Sequence, residues 1–135
     1  MRNRAARRIV VVLDENLSGQ RIVDGLRRNK IPVEPLTDLM ERGATDEELL
    51  ARLARHPDYY LLSKDSDFHR KPAVKEALIK HGVGAFVITA HKSKTAADLV
   101  ELVNQAWRGM QRCARKHKRP FVAKILADAR VEVVT

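Results

Sequence analysis

The chain has 135 residues, enough for one domain; a hydrophobic fraction of 44% permits a single core, and with aromatics at 4% that core must come from Val, Leu, Ile and Ala. The longest apolar run, residues 9–13, is far short of the ~20 residues of a membrane span and of a signal peptide's apolar stretch, and the lone Cys113 excludes an internal disulfide, so a reducing cytoplasm fits and a membrane partner does not. A net charge of +9 with a pI near 10.1 favours polyanionic partners, because each Lys or Arg that meets a phosphate releases condensed counterions.

The chain opens with a basic tail over 1–7, and four of the first eight residues are arginine. Residues 8–13 are a β-branched run that reads as a buried strand, ending at Asp14-Glu15-Asn16. A helix is predicted over 17–29, with Leu17, Ile22, Val23 and Leu26 near one face. A second strand is predicted over 33–36, and Pro32 and Pro35 make it short and edge-like. Thr45 followed by Glu48 forms a capping box for a helix whose apolar side is Leu49, Leu50 and Leu53. His56-Pro57-Asp58 stops that helix, and a third strand covers 59–62.

Pro72 suits the first turn of a helix to residue 81, with Gly82 beyond its end. A fourth strand covers 85–88, and the longest helix runs over 95–116. Its apolar stripe is Leu99, Val103, Ala106, Trp107 and Met110. Residues 121–126 and 130–134 read as a closing antiparallel hairpin around Ala127-Asp128-Ala129. Alternating strands and helices predict an α/β fold in one domain, 1–135: a central, mainly parallel sheet with helices on both faces. A second basic cluster, Arg112, Arg115, Lys116, Lys118 and Arg119, is either a solvated face or a contact for nucleic acid or an acidic protein.

Ligands bind outside the carboxyl ends of the strands in such sheets. Strand one ends at Asp14 and Glu15, strand three at Asp65 and Asp67, and the helix after strand two starts with Asp46, Glu47 and Glu48. Carboxylates brought together repel one another, and a hard divalent cation with oxygen ligands removes that penalty. Such a metal lowers the pKa of its water and stabilises a displaced oxygen, which is the chemistry of phosphodiester hydrolysis. Each acid also has a plain structural explanation. Asp14 could cap a helix, Asp46 and Glu47 could complement a helix dipole, Glu48 belongs to the capping box, and Asp65 and Asp67 could be turn residues. Cys113 reads as a small helix residue, not a catalytic thiol.

Three motifs in order, Val12-Leu13-Asp14-Glu15-Asn16-Leu17, Arg42-Gly43-Ala44-Thr45-Asp46-Glu47-Glu48 and Leu62-Ser63-Lys64-Asp65-Ser66-Asp67-Phe68, resemble the PIN-like domains, in particular the VapC-type toxins and the families with a DEN motif after strand one. The resemblance spans residues 9–89, and the end of the chain looks like the terminal hairpin of those toxins. It implies a Mg2+- or Mn2+-dependent endoribonuclease acting on tRNA, rRNA or mRNA, silenced by a VapB-like antitoxin and able to form a homodimer. By motif, Asp14 matches the first metal-binding acid, Asp46 the helix-start acid with Glu47 as its substitute, Asp65 the acid after strand three and Asp67 the last of the group. A further acid expected near a later strand is absent, because 88–92 reads Ile88-Thr89-Ala90-His91-Lys92. Lys64, Arg70, Lys71, His91, Lys92 and Lys94 flank the same rim and could guide an RNA backbone, with solvated side chains as the plain alternative.

Two other readings compete. A receiver-like phosphoacceptor domain would use Asp14, Glu15, Asp65 and Thr89, but it expects a Lys after a fifth parallel strand and leaves Asp46 unexplained. A PIN-like scaffold could bind RNA or protein without cutting. Trp107 and Met110 could pack internally, or serve a homodimer or an antitoxin groove.

Overall fold

The computed structural model describes residues 9–40, 43–64, 71–89 and 94–134. Its order is β1 (Val10–Leu13), a 3-10 turn (Glu15–Leu17), α1 (Gln20–Arg28), β2 (Val33–Pro35), α2 (Leu36–Leu39), α3 (Asp46–Ala54), β3 (Tyr59–Ser63), α4 (Pro72–His81), β4 (Gly84–Ile88), α5 (Ala96–Lys116), β5 (Phe121–Ile125) and β6 (Val131–Val133). The strands form one six-stranded sheet in the order β2-β1-β3-β4-β5-β6. All neighbours pair in parallel except β5 and β6, which form the antiparallel hairpin expected from the sequence.

Strand alternation divides the core into two layers. Val11, Leu13, Tyr60, Leu62, Phe86 and Ile88 face α1 and α5. Val12, Leu61, Ala85, Val87 and Val122 face α3 and α4. Helices therefore cover both faces, as a mostly parallel sheet requires. The connection from β4 to β5 through α5 runs over the α1 face, whereas those through α3 and α4 run over the other face while the chain advances in the same direction. It therefore has the opposite hand to the two before it. Met110 is fully buried and Trp107 packs half-buried against the same cluster, so the apolar stripe of α5 is largely spent inside.

The chain after β1 differs from its predicted form. The single helix over 17–29 is broken into the 3-10 turn and α1. Ser18 explains the break: its hydroxyl donates to the carbonyls of Leu13 and Asp14, both at 3.0 Å, and Gly19 then restarts the chain as the cap of α1. The predicted second strand stops one residue early, and Leu36 opens the short helix α2 instead. β5 is also a fifth parallel strand as well as half of a hairpin. The order of β2, β1, β3, β4 and β5 thus coincides with that of flavodoxin-like sheets. The residues after β5 are Leu126, Ala127 and Asp128, so the lysine of a receiver is still missing.

Candidate active site

Asp14 stands at the carboxyl end of β1, half-buried. One carboxylate oxygen accepts the Glu15 amide at 2.7 Å, capping the 3-10 turn as its sequence position allowed. The other accepts the hydroxyl of Ser63 at 3.0 Å. Ser63 closes β3, the neighbour of β1, and is the one fully buried polar residue among the described residues. A hydroxyl held in the core therefore fixes the orientation of the acid at the rim. Ser63 was invisible as a site residue in sequence, since its role depends on the pairing of β1 with β3.

An open groove of about 780 Å³ runs from Asp14 along α2 and α3. Its walls carry Asp14, Glu15, Asp38 and Asp46, with Arg52 as the only Lys or Arg among the lining residues that the structure describes. Asp38 lies on α2, directly after β2, so a second strand brings an acid to the same region. The sequence did carry a signal for it, an acid just beyond a strand end, but α2 was hidden inside the predicted strand and its exit. Glu15, Asp46 and Arg52 are exposed.

Glu47 takes another path. Its carboxylate accepts the Lys80 ammonium at 3.0 Å and lies 3.6 Å from Nε2 of His81, beyond hydrogen-bond length. The Lys80 hydrogen bond and charge, then His81, hold the Glu47 carboxyl below the usual carboxylate range. Lys80 and His81 end α4 and lead into the start of β4, so this contact joins the first turn of α3 to the end of α4. Asp46, one residue earlier, lines the groove with Asp14. Among the described residues, no three His, Cys, Asp or Glu side chains lie close enough together to hold a metal ion.

Asp65, Asp67, Arg70, His91 and Lys92 lie outside the described residues. Lys64 is half-buried at the end of β3, and Lys71 is the exposed N-cap of α4. Lys94 is exposed beside Asp98, whose carboxyl it helps to hold low after the larger effect of the Thr95 hydrogen bonds. Thr89, a phosphoacceptor-site candidate in the receiver reading, donates its hydroxyl to the Ile125 carbonyl at 3.2 Å and so ties β4 to β5. Burial pushes the Cys113 thiol up to about 11, which removes it as a nucleophile at neutral pH. No described helix is long and apolar enough to cross a membrane.

Residues 9–90, more than half of the chain, match the family described as a PIN like domain. No curated protein and no solved structure matches the chain.

Proposed function

The chain belongs to the PIN-like domain family, and from that premise we propose that it is a cytoplasmic divalent-metal-dependent endoribonuclease, the toxin of a VapBC-like pair. The observation that carries the reading is Asp14, fixed by buried Ser63 at the end of β1 and opening on a groove with Glu15, Asp38 and Asp46. Every acidic donor there is a carboxylate oxygen, which suits Mg2+ or Mn2+ and not a soft metal. Asp14 and Asp46 would hold the ion together with Asp65 and Asp67; Asp38 lines the same groove, and no three of the described acids lie close enough to hold an ion by themselves. Bound there, it would supply a water of lowered pKa and charge stabilisation for the displaced oxygen.

The chain's own residues do the remaining work. Ser63 and the Glu15 amide keep the Asp14 carboxylate in one orientation, so little ordering is left for the moment of reaction. Arg52, whose side chain makes no hydrogen bond or ion pair to another described residue, can donate to a phosphate oxygen lying in the groove. Lys64, Arg70, Lys71, His91, Lys92 and Lys94 are the proposed guides for the flanking backbone.

The test is cleavage of a folded RNA by the purified chain with Mn2+. Internal cuts that vanish with a chelator and in Asp14→Asn support the reading. RNA binding without any cut in the parent protein would replace it with the scaffold reading. For the toxin role, induced expression should arrest growth, and Asp14→Asn should not. Arrest of equal strength by that variant would separate toxicity from hydrolysis.

A further inference from the structure

The strands' common polarity separates two kinds of charge. The acidic groove begins at the carboxyl edge with Asp14. α5 starts at that edge, after β4, and ends near the opposite one, where β5 begins. Its 21 residues cover about 32 Å at ~1.5 Å per residue. Residues 102–127 contain seven Lys or Arg and no Asp or Glu. After Glu101, the exposed side chains of α5 are Asn104, Gln105, Arg108, Arg112, Arg115 and Lys116. Lys118 follows, also exposed.

The side chains of Arg112, Arg115, Lys116 and Lys118 make no hydrogen bond or ion pair with any other described residue. Arg119 is different, because the fold uses it. Its guanidinium donates to the Tyr59 carbonyl at 3.1 Å and lies 5.6 Å from the centre of the Tyr60 ring. That contact fixes the end of the basic stretch against the amino edge of β3. Beside it, the exposed ring of His56 stacks on Tyr59 with centroids 4.2 Å apart. Charges a helical turn apart with no apolar side chain exposed between them suit a phosphate backbone. A protein partner would ask for an apolar centre, which this stretch of α5 does not offer.

We propose that the amino-edge surface formed by Arg112, Arg115, Lys116 and Lys118 is a second RNA-binding site, which holds the body of a folded RNA while another part of the same molecule reaches the acidic groove. The inference rests on the nuclease reading for the groove, but the binding it describes can be measured without any cleavage. It makes the substrate class a folded RNA large enough to reach from Asp14 at the carboxyl edge to the far end of α5. A tetranucleotide is too short to do so.

The test compares the full chain with R112Q/R115Q/K116Q/K118Q and with the milder R115Q. Circular dichroism checks that both variants are folded. Binding of a 30-nucleotide hairpin RNA is followed in chelator over a salt series, and Mn2+-dependent cleavage is followed on the hairpin and on a tetranucleotide. The quadruple variant should bind the hairpin about a hundredfold more weakly, with a log–log salt slope smaller by about 3 to 4, and R115Q should lose about 1. Cleavage of the tetranucleotide should be unchanged. Unaltered affinity and slope in the folded variants would overturn the proposal, whatever acidic protein that surface then proved to bind. An equal loss on hairpin and tetranucleotide would overturn it as well. If the parent cuts neither RNA, the nuclease reading fails, and the binding series alone decides on the surface.

Discussion

Asp14 and Ser63 show how one hydrogen bond can fix a carboxylate at a strand end. Asp14 is half-exposed and could turn to several rotamers in water, and the 3.0 Å bond from a hydroxyl in the core removes that freedom. Ser63→Ala would free the carboxylate without creating an isolated buried donor, so its stability cost should stay near 1 kcal/mol or below. Its effect on the site should be larger. Partners that orient a metal-holding carboxylate are commonly worth about 10–100-fold in metal affinity or activity, and that is the loss expected for Ser63→Ala in Mn2+ affinity. Titration of Mn2+ by calorimetry, with urea melts of both proteins, checks the pair of effects. Unchanged Mn2+ affinity would mean that the hydroxyl only packs. Asp14 was legible from its place after a β-branched run, because strand ends are marked locally. Ser63 and Asp38 were not, because their value depends on which strands lie side by side and on where α2 begins.

The helices were legible wherever a cap was written into the sequence. Thr45 with Glu48 and Thr95 with Asp98 form complete capping boxes, and α3 and α5 start immediately after those threonines. The Thr45 and Thr95 hydrogen bonds hold the Glu48 and Asp98 carboxyls low. Carboxyls lowered by folding stabilise the native state above their unfolded pKa, and that contribution is lost as pH falls through the folded value. Stability should therefore fall as the pH drops below the ordinary carboxylate range, and Thr95→Ala should make that fall shallower while costing about 1 kcal/mol at neutral pH. Urea melts at a series of pH values would read both, and an unchanged acid slope would remove the cap from the account. The helix after β1 was read as unbroken because Ser18 turned the chain by bonding backwards, which periodicity alone could not reveal.

The approach of α1 to α5 is another property of elements. A Cβ placed on Gly25 would sit 2.8 Å from a methyl of Val100, closer than packed atoms tolerate. Gly25→Ala should cost about 1–3 kcal/mol despite the better helix propensity of alanine. Val100→Ala opens the space, so the double variant should recover at least about 0.5 kcal/mol of the sum of the two single losses. Strict additivity in chemical denaturation would show that the helices do not meet at these two residues. Sequence periodicity placed both helices but could not pair them, because the crossover through α5 goes to the face that the two before it avoid.

On the scale of the whole molecule, the parallel sheet turns a mixed sequence into a polar object. The net charge of +9 says only that polyanions are favoured. The fold puts acids in a groove that begins at the carboxyl side, and toward the far end of α5 it puts basic side chains that have no partner among the described residues. The α/β class and the hairpin were legible from alternation of elements, whereas this separation required strand order. Carboxylates that face one groove cost the native state repulsion that an unfolded chain avoids, so a cation bound there should stabilise the fold. At a concentration 100 times its dissociation constant, the gain is about 2.7 kcal/mol, which for a chain of this size raises the melting temperature by roughly 10 °C. Mn2+ should produce such a rise in the parent protein, Ca2+ should be tested beside it, and Asp14→Asn should lose most of it. The hydrolytic reading needs that differential, because a cation gathered loosely by surface charge would stabilise the Asn variant nearly as well. A melting curve of the parent that Mn2+ does not move would leave the groove without its ion and the nuclease proposal without its chemistry.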